Sequence, residues 1–329
     1  MKKFINQVEL VEDQMIQGMV KAYPQYVRKL DCGNVVVRTE KKEGKVALIS
    51  GGGSGHEPAH GGYVGTGMLD AAVAGAVFTS PTPDQIYEGI KAIATDKGVL
   101  MVIKNYTGDV MNFEMAGEMA QMDDIKVAQV VVDDDVAVDG SLYTVGRRGV
   151  AGTVFVHKIA GAKAEEGAEL EEVQRVAQKV IDNVRTMGVA IRPCTVPAAG
   201  KPGFELGEDE MEVGIGIHGE PGTHKEPLRP ADEIVDHLLG KILADIDYTG
   251  HEVAVMVNSS GATPLMELFI INNHVADVLA AKGIRVYKTF VGEYMTSLEM
   301  EGFSVSLLRL DDELKALLDA HADTIAFKA

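Results

Sequence analysis

Val46-Ala47-Leu48-Ile49-Ser50-Gly51-Gly52-Gly53-Ser54-Gly55-His56-Glu57 decides the fold class. Apolar residues run without polar alternation into glycine and serine, and a histidine and a glutamate follow. A strand with one wet face alternates in polarity, whereas a strand covered on both faces does not. The same order recurs in Val99-Leu100-Met101-Val102-Ile103-Lys104-Asn105-Tyr106-Thr107-Gly108-Asp109. Helical periods occupy Asp84–Thr95 before this second run and Val110–Met122 after it. Strands and helices that alternate in this way predict an α/β fold, with a mostly parallel sheet covered by helices on both faces.

Working outward, Asn34–Val37, Ala71–Phe78 and Val127–Val132 read as further strands. Val8–Val20, Gly152–Ala164 and Glu169–Met187 read as helices. In the first of these Val8, Val11, Met15 and Met19 share a face, and Tyr23-Pro24 stops the helix. Pro193 to Glu210 breaks the rhythm with three prolines, three glycines and Glu208-Asp209-Glu210. It reads as a linker or crossover, with a long surface loop inside one domain as the alternative. Beyond it come strands at Met211–Ile217, Val253–Asn258, Ile284–Phe290 and Ser304–Leu310, and helices at Ala231–Ile246, Pro264–Ala281 and Asp311–His321. The division expected is an α/β domain over 1-190 and a second α/β domain over 191-329.

Composition narrows the function class. The chain has 329 residues, 46% of them hydrophobic and 24% charged, as folded globular proteins do. Its 31 basic and 49 acidic residues leave a net charge of −18. Nucleic acid and anionic membrane surfaces need a basic patch, so neither is an expected partner. Cys32 and Cys194 are the only cysteines, which excludes a disulfide framework and a four-cysteine zinc site. No signal peptide and no run of eighteen apolar residues is present, and a reducing cytoplasm is the expected compartment.

Four strand-to-loop junctions carry glycine and small polar residues: Ser50–Glu57, Lys104–Asp109, Gly214-Ile215-Gly216-Ile217-His218-Gly219 and Asn258-Ser259-Ser260-Gly261. In open α/β sheets ligands bind outside the carboxyl ends of strands, and glycine there lets the backbone approach them closely. Three of the four add His, Asp or Lys, which favours a binding site. Two familiar patterns fail on context. His56-Glu57-Pro58-Ala59-His60 matches the zinc-protease H-E-x-x-H, but glycines precede and follow it and Pro58 sits inside, against the regular helix that chemistry needs. Gly214-x-Gly216-x-x-Gly219 matches the dinucleotide fingerprint, yet Pro221, Gly222, Pro227 and Pro230 delay the next helix. There is no phosphate-binding P-loop and no protein-kinase glycine loop.

Asp133-Asp134-Asp135 reads as a solvated acidic turn, with a cation site as the alternative. Arg147-Arg148 reads as a surface pair that could meet an anion or a partner's carboxylates. Met111, Met115 and Met119 read as core packing. His157, His237, His251, His274 and His321 read as structural or surface residues, and His224 stays undecided. From the residues alone, then, the site is a small polar ligand's, with His56, Lys104, Asp109 and His218 near it and acid–base or nucleophilic chemistry to perform.

Gly51 to Gly62, Lys104 to Asp109, and Gly214 to Gly222 together resemble, in order and spacing, the signatures of the dihydroxyacetone kinase family. The resemblance runs over essentially the whole chain. It implies a phosphotransferase whose substrate, dihydroxyacetone, is held covalently: the histidine matched by His218 adds to the carbonyl carbon as a hemiaminal. It further implies that Gly53, His56, Lys104 and Asp109 hold the hydroxyls, with Asp109 as the base for the attacking hydroxyl and His56 as its hydrogen-bond partner. Single-chain members use ATP through an extra helical nucleotide domain. In the bacterial multi-subunit type, ADP and magnesium sit on a separate helical subunit, recharged by a phosphotransferase-system phosphocarrier with phosphoenolpyruvate as the ultimate donor. The chain ends at Ala329, soon after its last helix, which favours the second type, with no cofactor of its own and a homodimeric state. The rival reading is a non-catalytic paralogue that binds dihydroxyacetone and acts as coactivator of a transcription regulator. Retention of both His56 and Asp109 favours the kinase subunit.

Overall fold

Ala47–Ser54 and Val99–Lys104 lie side by side in parallel, with Ala47 opposite Val99 and Ser50 opposite Val102. They form the middle of a six-stranded sheet in the order Val27–Lys29, Val35–Arg38, Ala71–Val77, Ala47–Ser54, Val99–Lys104, Val127–Val132. The last four strands are mutually parallel and the first two pair antiparallel. The computed structural model describes residues 2–138, 140–141 and 144–329.

The unalternating apolar runs are buried on both faces, as expected of covered strands. Ala47, Ile49, Val99, Met101 and Ile103 pack with Ile86 and Ile90 of helix Pro83–Ile93 and with Phe113 and Ala116 of helix Thr107–Met122. Leu48, Leu100, Val102, Val130 and Val132 point the other way, onto helices Thr153–Glu165 and Leu170–Asn183. A second six-stranded sheet runs His224–Pro227, Glu210–Val213, Val184–Arg192, Glu301–Leu310, Glu252–Ser259, Arg285–Gly292. Only its last pair is parallel. Its Ala254, Met256, Leu308 and Leu310 join the same core as Leu48 and Leu100. Its Val253, Val255, Val257, Val305 and Leu307 face the opposite way, onto helices Ala231–Asp245 and Leu265–Ala281. The order of layers is therefore helix, sheet, helix, sheet, helix.

Several expectations need correction. The helix expected over Glu169–Met187 stops at Asn183, and Val184–Arg192 is an interior strand of the second sheet. The apolar spacing Val173, Val176, Val180 carries on to Val184 and Met187, so periodicity alone runs past the boundary. Met111 and Met115 are about half exposed and do not belong to the core. The strand expected over Met211–Ile217 ends at Val213, because Gly214 takes a φ of 72° that turns the chain. Residues 193–209 connect two neighbouring strands of the second sheet. The short strands Val27–Lys29 and His224–Pro227 were not anticipated. Among the described residues no helix is long and apolar enough to cross a membrane.

Candidate functional site

Three neighbouring parallel strands deliver the site at their carboxyl ends. Ala47–Ser54 leads to His56, and Ala71–Val77 leads to Phe78 and Ser80. Val99–Lys104 ends on Lys104 and passes through Tyr106 into helix Thr107–Met122, which carries Asp109 in its first turn. From the second sheet, the turn after Glu210–Val213 brings in His218 and Glu220. These segments enclose a cavity of about 630 Å³ whose lining includes Gly53, Ser80, Tyr106, Asp109, His218 and Glu220. Val196 and Gly203 of the long loop also line it.

Lys104 and Asp109 form a buried pair. Lys104 Nζ donates to Asp109 Oδ2 at 3.3 Å and to the carbonyl of Gly51 at 3.1 Å. The Ser80 hydroxyl donates to Asp109 Oδ1. The glycines beside them make room. Gly52 has a φ of 148°, and a Cβ there would collide with Lys104 Nζ. A Cβ on Gly53 would stand 2.5 Å from the backbone nitrogen of Thr79 and displace the Phe78–Ser80 turn.

His56 is fully buried, and its Nδ1 donates to the carbonyl of Thr296 at 2.8 Å. A carbonyl only accepts, so this bond places the proton on Nδ1 and leaves Nε2 as a free acceptor. Nε2 has no hydrogen-bond partner. The Thr296–Leu298 segment clamps the first-sheet loop: Thr296 N donates to His56 O and Leu298 N to Gly55 O. Ser297 N in turn donates to Ser260 O, so the Asn258–Gly261 loop buttresses this clamp, and its residues are not in the cavity lining. Burial, reinforced by Lys104, pushes His56 down to about 3. The His218 ring sits among Tyr106, His56 and Phe78, with centroids 4.4, 4.7 and 5.4 Å away. Burial holds its imidazole well below the usual histidine range, helped by His56, Lys104 and Arg148. Both imidazoles are neutral at pH 7, which is the nucleophilic and proton-accepting form.

The five residues singled out from sequence, Gly53, His56, Lys104, Asp109 and His218, thus come together around one cavity or directly behind it. Ser80, Phe78, Tyr106 and Glu220 complete the surroundings and were missed as site residues. Tyr106 and Glu220 lie inside the glycine-rich motifs, but nothing in the pattern says that their side chains turn inward. Phe78 and Ser80 follow a strand whose single glycine, Gly75, is not part of a glycine-rich loop. Two other readings change. Asp134 and Asp135 are buried, not a solvated turn: Asp134 accepts from the backbone of Val150 and Gly152, and Asp135 from Arg148. Arg148 is buried beneath the site and cannot be a surface contact, while Arg147 forms a two-pronged pair with Asp245.

Neither the zinc-protease pattern nor the dinucleotide pattern adopts the geometry its chemistry needs. Residues 57–60 form turns, and His56 and His60 diverge. His60 Nδ1 meets His157 Nε2 at 2.9 Å in the core, while His56 faces His218. Among the described residues no three His, Cys, Asp or Glu side chains are grouped so that they could hold a metal ion. In the dinucleotide-like stretch no helix follows Gly219 directly.

The family model for the Dak1 domain matches residues 17–326. A protein of Listeria innocua named "PTS-dependent dihydroxyacetone kinase 1, dihydroxyacetone-binding subunit DhaK" is 56% identical over 329 residues, which cover 99% of this chain and 100% of that protein. The crystal structure of the dihydroxyacetone kinase of C. freundii superposes with a TM-score of 0.93 at 35% identity, over 99% of this chain and 60% of that one. The structure of a dihydroxyacetone kinase operon co-activator superposes with a TM-score of 0.90 at 37% identity, over 95% of this chain and 97% of that one.

Proposed function

The chain belongs to the dihydroxyacetone kinase family, and from that premise we propose that it is the dihydroxyacetone-binding subunit of a phosphotransferase-system-dependent dihydroxyacetone kinase. One observation carries the reading: a neutral, aromatic-lined His218 shares a cavity with Asp109, which pairs with Lys104 behind it, and lies against His56. A neutral imidazole adds to a ketone carbon, whereas glycerol, without a carbonyl, offers it nothing to attack. His218 captures dihydroxyacetone as a hemiaminal in this way. Gly53, His56, Lys104 and Asp109 then hold its hydroxyls. Asp109 takes the proton of the hydroxyl that attacks phosphorus, and Nε2 of His56 accepts a hydrogen bond beside it.

The phosphoryl donor comes from a separate helical subunit holding ADP and magnesium, recharged through a phosphocarrier of the phosphotransferase system, with phosphoenolpyruvate as its source. The relative from Listeria innocua, matched over its whole length and named as a subunit, supports this division of labour. The assembly is cytoplasmic and the chain pairs as a homodimer. Helix Leu265–Ala281 exposes Leu265, Met266, Phe269 and Ile270, an apolar face that supports pairing.

The likeness to a co-activator favours one second reading, a non-catalytic dihydroxyacetone-binding paralogue that works with a transcription regulator. Reconstitution separates the two. Purified chain, cognate partner subunits, phosphoenolpyruvate and dihydroxyacetone should yield dihydroxyacetone phosphate. Capture of the sugar without any turnover, with all partners present, would favour the co-activator.

A further inference from the structure

Behind His218 lies a chain of charged side chains that the capture of substrate does not by itself explain. Glu220 is 7% exposed, and its Oε2 stands 3.9 Å from Nδ1 of His218. Neither of its carboxylate oxygens has a hydrogen-bond partner of normal geometry. Its other oxygen lies 3.5 Å from Arg148. Arg148 is itself fixed: its Nε donates to Asp135 at 2.7 Å and its terminal nitrogen to the carbonyl of Gly214 at 2.6 Å. The backbone is shaped around this arrangement. A Cβ at Gly216 would overlap the Glu220 carboxylate and stand 2.7 Å from Arg148. Gly214 and Gly219, with φ of 72° and 76°, bend the loop so that His218 and Glu220 face the same cavity. The glycine spacing that mimics a dinucleotide fingerprint is thus the spacing that seats a carboxylate beside an imidazole.

A buried carboxylate with only loose partners, here Arg148 at 3.5 Å and the backbone of residues 218 and 220, gains from a further donor. The nearest ring nitrogen is Nδ1 of His218. We infer that Glu220 is a positioning residue: it holds His218 as the Nδ1–H tautomer, leaving Nε2 as the nucleophile, and takes the Nδ1 proton as the bond to the substrate carbon forms. The inference rests on the covalent reading of His218 given above. The step balances. The Nε2 lone pair forms the carbon–nitrogen bond, and the carbonyl π pair moves to oxygen, which takes a proton from water in the cavity. The ring, now substituted on Nε2, passes its Nδ1 proton to Glu220, which returns it to solvent. The sum is addition of an imidazole N–H across a C=O bond with no net change in protons. Without an acceptor at Nδ1 the adduct would remain an imidazolium buried beside Lys104 and Arg148, where positive charge is unfavourable. Burial holds the Glu220 carboxyl above the usual range against the pull of Arg148, which suits it to receive a proton.

The test uses the full-length protein with ¹⁵N-labelled histidine. Long-range proton–nitrogen NMR spectra report which nitrogen of His218 carries hydrogen before and after dihydroxyacetone, and rapid-quench intact mass gives the rate of adduct formation. In wild type, free His218 should carry its proton on Nδ1 and lose it on capture. Glu220→Gln should form the adduct at least ~10-fold more slowly and keep Nδ1 protonated in it, in the range expected for loss of a proton-transfer partner. Glu220→Asp preserves the charge that Arg148 needs while drawing the carboxylate away from the ring. It should show the same slowing with an unchanged thermal midpoint, which guards against a trivial folding defect. Wild-type rate and a deprotonated Nδ1 in both variants, or free wild-type His218 protonated on Nε2, would overturn the inference while leaving the adduct intact. An adduct absent from wild type, or one that survives His218→Ala, would instead bring down the covalent reading and this proton step with it.

Discussion

The roles proposed for His218 and Asp109 divide capture from transfer, and single substitutions should separate the two. His218→Ala should abolish the mass that dihydroxyacetone adds to the protein, trapped by reduction if the adduct is labile. An adduct that maps instead to the His56 peptide would reassign the nucleophile. Asp109→Asn should retain the adduct yet turn over about 10²–10⁴-fold more slowly in the reconstituted system, the usual cost of losing a placed base. Near wild-type turnover would make Asp109 a hydroxyl anchor and put the base elsewhere. Acidity gives a third handle on His218. An unperturbed imidazole loses its nucleophilic form as pH falls through about 6.5. Burial next to His56, Lys104 and Arg148 lowers the pKa of His218, so its neutral form persists to lower pH. Adduct yield should therefore stay level from pH 8 down past pH 6 and decline only in more acidic solution. A decline centred near 6.5 would show that the cavity leaves His218 as exposed as a free side chain.

At the scale of the element, the strand Ala47–Ser54 shows why part of this protein is legible and part is not. Its apolar run is readable because burial on both faces forbids alternation, and its glycines because neighbours crowd the backbone: Val73 at Gly51, Lys104 and Asp109 at Gly52, and Phe78 and Thr79 at Gly53. Gly52→Ala tests the second half of that statement. The φ of 148° disfavours any side chain, and the added methyl would push Lys104 Nζ away from Asp109. The substitution should cost about 1–3 kcal/mol of stability, read from denaturant midpoints. It should also reduce phosphorylation far more than a remote substitution of equal stability cost. Equal losses would show Gly52 to be a structural glycine only. The strand Val184–Arg192 is the opposite case. A helical apolar period runs into it, and what makes it a strand is partners far away in sequence: Glu301–Leu310 on one side and Glu210–Val213 on the other. Glu220 and Arg148 were illegible for the same kind of reason. A glutamate in a glycine-rich loop and an arginine in a charged pair look solvated until the fold buries both under His218. Asp134 and Asp135 belong with them, since their donors come from residues 148–152.

For the whole molecule the expected partners dominate. Light scattering at micromolar concentration should give about twice the chain mass of 35.2 kDa, and a monomer at every concentration would remove the homodimer. The source of the phosphoryl group is the larger question. Phosphoryl transfer needs a cradle for the phosphates and a magnesium ion to offset developing charge. The sequence contains neither a P-loop nor a protein-kinase glycine loop, and in the one acidic run that suggested a cation Asp134 and Asp135 are committed to backbone donors and to Arg148. The glycines of Gly51–Gly55 are likewise occupied: Lys104 fills the space beside Gly52, and Phe78 that beside Gly53 and Gly55. On the proposed function the nucleotide is carried by another chain whose phosphates reach the cavity containing Asp109 and His218. That partner approaches a chain of net charge −18, and the buried Arg148 cannot help to receive it, so salt should strengthen the encounter by screening repulsion. Purified chain with dihydroxyacetone, magnesium and ATP should form no dihydroxyacetone phosphate beyond the uncatalysed background. Addition of the nucleotide subunit, the phosphocarrier chain and phosphoenolpyruvate should start sustained formation. Steady turnover of ATP by this chain alone would overturn the subunit assignment.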